Sequence, residues 1–250
     1  MEKIFDNKVV IVTGGGSGIG QATAILYAQE GAKVIVSDLN EKGGRETVAS
    51  IKKAGGDASF IKTDVSKPED CQALVKSSVD IYGRLDMAFN NAGIGGEMNP
   101  IADMSVEGWL NVINVNLNSV FYCMKYELPE MLRQGRGSIV NMSSILGQVA
   151  FANSAAYVAA KHGVVGLSRN AAVEYAKQGI RVNAVGPAFI NTPLLSALDQ
   201  KMKEALLTLH PIGRLGEAKE VAELVVWLSS DKASFVTGNY YAIDGGYLSV

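Results

Sequence analysis

The sequence predicts an α/β fold, a doubly wound parallel sheet with helices on both faces, as one domain over residues 1–250. Two observations carry this. Short β-branched runs alternate with longer helical patterns from end to end, and the short runs are continuously apolar, as strands buried on both faces are. No low-complexity stretch or polar linker divides the chain.

The first unit is a strand over 9–13 and a helix over 19–30, where Ala22, Ile25, Leu26 and Gln29 recur on successive turns. The same unit then repeats. Strands are expected at 33–37, 59–63, 85–90, 138–142, 180–184 and 240–243. Helices are expected at 41–54, 68–82, 106–132, 155–177, 195–209 and 218–228. Asp64 and Ser66 ahead of Pro68 read as an N-cap with a first-turn proline, and Gly31, Gly83 and Gly179 read as helix stops.

Composition excludes several classes. With 23 Lys+Arg against 25 Asp+Glu, the net charge of −2 argues against a nucleic-acid partner or an anionic membrane surface. No run of apolar residues is long enough to span a bilayer, and the first residues lack the order of a signal peptide. Cys71 and Cys123 lie far apart in the sequence, in helical apolar segments. They read as small core residues in a reducing, cytoplasmic compartment rather than as a disulfide or metal site. Glycine is the outlier, 27 residues with only 6 prolines, about 11% where roughly 7% is usual. The excess must sit in ordered elements where the backbone needs room.

Part of it sits between the first strand and helix, as Thr13-Gly14-Gly15-Gly16-Ser17-Gly18-Ile19-Gly20. Such a turn lets a pyrophosphate approach the amides and dipole of a helix N-terminus. Asp38 ends the second strand 18 residues beyond Gly20. An acid there would grip the adenosine ribose hydroxyls and repel a 2′-phosphate, which favours NAD(H) over the phosphorylated cofactor. Lys42 and Arg45 read as a solvated helix face, and Gly44 and the Gly55-Gly56 turn as local geometry. A helix cap ahead of Glu41 is an alternative role for Asp38.

Tyr157 and Lys161 stand four apart on one helix face. A fixed ammonium there would lower the phenol pKa from about 10 toward neutrality. Ser143 and Ser144 end the preceding strand at the carboxyl edge of the sheet, where open α/β folds bind ligands. Asn116 falls inside a long apolar helix, where an amide needs partners.

The glycine loop of residues 13–20, Asn90-Asn91-Ala92-Gly93, a serine 13 residues before Tyr157-x-x-x-Lys161, and Asp244-Gly245-Gly246 together resemble the short-chain dehydrogenase/reductase family over almost the whole chain. The resemblance implies a Rossmann-type sheet of about seven strands, a homo-tetramer or dimer, and nicotinamide-dependent carbonyl/alcohol chemistry. It implies Tyr157 as general acid/base and Lys161 as holder of the nicotinamide ribose. Ser144 would hydrogen-bond the substrate oxygen, Ser143 would bind backbone, and Asn116 would support a proton path from the lysine. For the cofactor it implies Gly14, Ser17 and Ile19 at the phosphates, Asp38 and Leu39 at the adenosine ribose, and Asp64 and Val65 at the adenine. Asn91, Ala92 and Gly93 would pass beside the ribose and nicotinamide half, with Asn90 tying strands together. Ile190 and Thr192 would meet the carboxamide. Ala188 replaces the family's usual glycine, which bears on the backbone path under the nicotinamide.

Residues 193–211 read as a helical substrate lid carrying Leu194, Leu195, Met202, Leu206, Leu207 and Leu209. With Ile145, Leu146, Gln148, Phe151, Met98 and Phe189 they suggest a mainly apolar pocket without an arginine. An uncharged ketone or secondary alcohol fits best, and no metal is expected. His210 reads as a loop residue, and His162 as pointing off the active face. Competing readings are a non-catalytic NAD sensor, another substrate class such as a sugar, steroid or acyl-carrier ketone, and an epimerase or dehydratase, which would bring a longer C-terminal domain.

Overall fold

The structure is a computed structural model and describes residues 3–196 and 205–250. The strands are β1 Val9–Thr13, β2 Lys33–Asp38, β3 Asp57–Lys62, β4 Met87–Asn90, β5 Gly137–Met142, β6 Ile180–Pro187, the short β7 Ile190–Asn191 and β8 Gly216–Glu217, and β9 Tyr240–Ile243. The helices are α1 Gly18–Gln29, α2 Glu41–Lys53, α3 Pro68–Tyr82, α4 Val106–Ile113, α5 Ser119–Gln134, α6 Ala155–Tyr175, the single turn α7 Pro193–Ser196, and α8 Ala218–Ser229.

Seven strands form one parallel sheet in the order β3-β2-β1-β4-β5-β6-β9, and β7 pairs with β8 apart from it. The order reverses between β1 and β4, which opens a crevice at the carboxyl ends of the strands. Successive residues of β1 face opposite layers. Val10 and Val12 pack with Ala24 and Tyr27 of α1 and Val221 and Val225 of α8. Ile11 packs with Leu74 and Val75 of α3, Met124 of α5 and Val164 of α6. Burial on both faces is why the strands read as unbroken apolar runs.

The expected elements form, with differences that have local causes. The helix expected over 106–132 is broken by a π-helical turn at Asn114–Asn118, centred on Asn116, whose amide bonds the backbone of Ile94. Asp64 and Ser66 do not cap α3. Lys67 holds the N-cap position without a side-chain bond, Pro68 opens the helix as expected, and Asp64 Oδ1 closes a local turn on Ser66 N (3.1 Å) and Oγ (2.6 Å). Gly31, Gly83 and Gly179 stand at φ of 95°, 78° and 79°, the left-handed conformation assigned to them as helix stops. Cys71 and Cys123 are free and buried as expected, but α3 and α5 bring their sulfurs to 3.8 Å. The helix expected over 195–209 is described only at its ends, as α7 and a helical turn over 205–208. The middle of the expected lid, Met202 included, lies outside the described residues. Among the described residues, no helix is long and apolar enough to cross a membrane and no cluster of acids, histidines and cysteines has the make-up of a metal site.

Candidate active site

The strand ends assemble the site around the crevice. After β1, Gly14 (φ 63°) and Gly18 (φ 53°) turn the chain into α1. A Cβ on Gly14 would stand 2.8 Å from Asn91 Nδ2, and one on Gly20 would fall on the Gly14 carbonyl. Ser17, exposed at the N-cap of α1, makes no side-chain capping bond, so no side chain covers the first amides of the helix. Ile19 beside it is half-buried. This bare backbone cradle at a helix N-terminus fits a pyrophosphate.

Asp38 at the end of β2 faces the same loop. Its Oδ2 accepts from Gly16 N (2.8 Å) and its Oδ1 from Asn40 N (2.8 Å). The cap of α2 is Asn40, which accepts from Gly43 N, so the capping role weighed for Asp38 is not the one it has. Leu39 next to it is 62% exposed. Lys42 pairs with Glu46 (4.0 Å) and Arg45 with Glu41 (2.8 Å), which keeps both cations on the helix surface as read from sequence. After β3, Val65 is buried, and Asp64 has its carboxyl held below the usual range, chiefly by the Ser66 hydroxyl.

The two sides of the crevice are bolted together across the sheet. Thr13 Oγ1 accepts from Asn91 N (3.0 Å) and Ala92 N (3.2 Å), while Asn91 Nδ2 donates to Thr13 O (2.9 Å). Asn90 ties strands as expected, donating to Asn141 Oδ1 of β5 (3.0 Å) and Glu127 Oε2 (3.1 Å). Asn116 accepts from Ile94 N (2.8 Å) and donates to Ile94 O (2.7 Å), so its amide is spent on the loop after β4. Asn114 and Asn118 bond each other instead (2.8 Å). Gly93 lies over this point, where a Cβ would stand 3.0 Å from Asn116 Oδ1 and 3.7 Å from Lys161 Nζ.

On the β5 side, Ser143 Oγ donates to Lys161 O (2.9 Å), the backbone role read for it. The Ser144 hydroxyl accepts from Leu146 N (3.2 Å) and lies near enough to the Tyr157 phenol to pull its pKa down. Lys161 is 2% exposed, donates to Met142 O (2.8 Å), and stands 5.4 Å from the Tyr157 ring centre. Burial pulls the lysine pKa down to about 8. Burial also pushes Tyr157 up, with the Ser144 hydroxyl opposing. The net shift of the tyrosine in this geometry is upward, against the expected lowering by Lys161, because desolvation of the phenolate dominates.

The far wall follows β6. Ala188 is not among the described residues at positive φ and donates to Ile243 O (3.1 Å), so the alanine follows the turn without strain. Ile190 is buried, and Thr192 leans over the glycine loop, its Cγ2 3.3 Å from where a Gly18 Cβ would stand. Phe189 meets Phe151, His210 and Tyr247 edge-on at 6.2, 5.7 and 6.1 Å. His210 is buried between Phe189 N, which donates to Nε2 (3.4 Å), and Leu206 O, 2.8 Å from Nδ1. Those partners place its ring proton on Nδ1 and make it a structural member of the wall. His162 is exposed and bonds Val158 O (2.9 Å).

A family model described as enoyl-(acyl carrier protein) reductase matches residues 14–248. Over their full lengths, the chain is 51% identical to a cyclohexanol dehydrogenase of Acinetobacter sp. (strain SE19). The chain belongs to the short-chain dehydrogenase/reductase family. It is 44% identical, again over all of both chains, to a cis-4-hydroxycyclohexanecarboxylate dehydrogenase of Sinomonas cyclohexanicum. The crystal structure of a levodione reductase superposes with a TM-score of 0.96 at 39% identity, covering 98% of this chain and 99% of that one. As a member of this family the chain is an oxidoreductase with a Rossmann-like fold and a small-molecule substrate.

Three groups at the site escaped the sequence reading. Thr13 carries the bond that locks Asn91 and Ala92, yet reads as an ordinary strand residue. Gly44, set aside as local geometry, leaves no room for a Cβ against Phe60, and its N lies 3.0 Å from where a Gly16 Cβ would be. It lets α2 close on β3, while Gly43, where a Cβ would stand 2.7 Å from Gly16 O, lets the helix close on the glycine loop; their nearness to Asp38 was the available signal. Tyr240 bonds the backbone of Ser144 from the far edge of the sheet (2.9 Å), a contact no spacing in the sequence announces.

Proposed function

We propose that this protein is an NAD(H)-dependent dehydrogenase that interconverts an uncharged, mainly apolar ketone and its secondary alcohol. The observation that carries the reading is the convergence of Ser144, Tyr157 and Lys161 at the carboxyl edge of a sheet whose glycine cradle opens beside them. The bound nicotinamide supplies or takes up the hydride. Gly14, Ser17 and Ile19 hold its phosphates, Asp38 and Leu39 the adenosine ribose, and Asp64 and Val65 the adenine. Asn91, Ala92, Gly93, Ile190 and Thr192 line the nicotinamide half.

Tyr157, kept protonated by its burial, donates its proton to the carbonyl oxygen as negative charge develops there, and takes it back when the alcohol is oxidised. Ser144 offers a second hydrogen bond to that oxygen, in a position fixed before the substrate arrives. Lys161 lends a buried positive charge beside the phenol and holds the nicotinamide ribose. Asn116 keeps the loop after β4 against Lys161 and so frames the proton path.

The two cations beside Asp38 are already paired with glutamates, which leaves a lone carboxylate facing a 2′-phosphate and favours NAD(H). The aromatic wall around Phe189 and the cyclic alcohols named by two relatives support an alicyclic substrate under a lid over 193–211. Exposed Trp109, Leu110 and Phe121 on α4 and α5 and Trp227 on α8 support a homo-tetramer, testable by light scattering. The free buried thiols suit the reducing cytoplasm.

The deciding experiment mixes the purified protein with NADH or NADPH and a panel of cyclic, linear and charged ketones, following loss of reduced nicotinamide absorbance. Turnover of cyclohexanone-like ketones with NADH is expected. Binding of NADH without turnover of any ketone or alcohol would favour the sensor, and equal use of NADPH would overturn the role of Asp38.

A further inference from the structure

Ser144 is held by more than its own loop. Its carbonyl accepts from Gly147 N (2.8 Å) and also from the hydroxyl of Tyr240 (2.9 Å), 96 residues away on β9. The first bond already satisfies the buried carbonyl, so the second is not needed to avoid an unpaired polar group. Its consequence is orientational. Two donors converging on one carbonyl fix the peptide plane of Ser144, and with Leu146 N bonded to Oγ they leave the serine hydroxyl little freedom to turn.

The fold gives up a side chain to seat this tyrosine. β6 pairs with β9 so that Ala184 stands opposite Tyr240, and Gly186 lies under the ring. A Cβ on Gly186 would fall on the Tyr240 hydroxyl and ring edge. Burial, with Asp244 nearby, pushes the Tyr240 pKa up, so the hydroxyl stays a donor throughout the working range.

We propose that Tyr240 is a positioning residue for carbonyl reduction, its hydroxyl fixing the Ser144 backbone so that the Ser144 side chain meets the substrate oxygen in register with Tyr157. This rests on the role given to Ser144 above. It makes the last strand of the sheet part of the reaction geometry.

The test is steady-state kinetics and NADH titration of Tyr240→Phe, Ser144→Ala, the double variant and Gly186→Ala, with the best ketone of the panel. Tyr240→Phe removes one oxygen and should lower kcat about three- to tenfold, the range of one hydrogen bond. NADH affinity and melting temperature should stay at parent values. On the Ser144→Ala background the same change should cost nothing further, because the hydroxyl it positions is gone. Gly186→Ala, whose Cβ displaces the Tyr240 hydroxyl and ring edge while leaving the tyrosine itself in the chain, should reproduce the loss and not add to Tyr240→Phe. The proposal is overturned if Tyr240→Phe keeps the parent kcat or costs the same factor with and without the serine hydroxyl. If Ser144→Ala itself keeps full activity, the role of Ser144 fails and the proposal with it. Loss in Ser144→Ala with Tyr240→Phe silent defeats the proposal alone.

Discussion

The two sides of the crevice, proposed above to hold the dinucleotide and to carry the reaction, are built on opposite plans. The glycines among residues 14–20 work by lacking side chains: a Cβ would meet Asn91 at Gly14, Val36 at Gly15, Asp38 at Gly16, Thr192 at Gly18 and the loop's own carbonyl at Gly20. The reaction side works by side chains brought in from separate elements, Ser144 after β5, Tyr157 and Lys161 on α6, and Tyr240 on β9. Recognition of a phosphate needs close backbone and a helix dipole, which one short segment can supply. Acid–base work on a carbonyl needs several groups around one oxygen, which one segment cannot reach.

The largest effect separating the two sides is expected from Tyr157→Phe. It should lower kcat by about three orders of magnitude, the size of a lost general acid, while NADH binding measured by fluorescence stays intact. Loss of binding in step with kcat would break the distinction between the sides.

The seam between them is next. Glu127 is fully buried, bonded to Asn90, and burial raises its carboxyl from 4.5 to about 7. Glu127 Oε1 and Asn90 Oδ1 have no hydrogen-bond partner among the described residues, a setting that disfavours a carboxylate charge. Between about pH 4.5 and 7 the unfolded chain has released this proton while the folded chain keeps it. Its contribution is therefore full below pH 4.5 and lost as pH rises through 7, a change of about 3 kcal/mol. Denaturant unfolding of Glu127→Gln against the parent should show the difference, the variant losing that slope while keeping the network folded.

On the dinucleotide side alone, Gly14→Ala puts a methyl group at φ 63° and 2.8 Å from Asn91 Nδ2. NADH affinity should fall about tenfold or more, with kcat at saturating NADH much less changed. Asp38→Asn is the gentlest change. It keeps one acceptor for the loop but removes the charge, and the NADH-over-NADPH preference in kcat/KM should drop about tenfold, the size of one ion interaction at a partly exposed site. An unchanged ratio would show that discrimination lies elsewhere.

The difference in plan also explains what could be read in advance. The glycine loop and Asp38 form one local run, and Tyr157 and Lys161 share one helix face, so spacing alone exposed them. The parallel order of the strands followed from their unbroken apolar runs. The π turn at Asn114–Asn118 was not legible, because the pull on Asn116 comes from Ile94, 22 residues away. The direction of the Tyr157 shift was misjudged for a related reason: spacing gives the distance to Lys161, while burial depends on everything packed around the phenol. Cys71 and Cys123, distant along the chain, met because α3 and α5 pack side by side.

The sequence by itself determined the doubly wound α/β architecture, the glycine cradle at the start of α1 and the Tyr157–Lys161 pair, since each depends on periodicity or on residues within a few turns of each other. Only the tertiary structure decided how the pair is tuned and how the site is braced: Lys161 shifted down to about 8, Thr13 clamping Asn91, and Tyr240 bonded to Ser144. Desolvation and hydrogen bonds between strand ends exist only once distant segments share one sheet edge, and no local pattern in the chain encodes them separately.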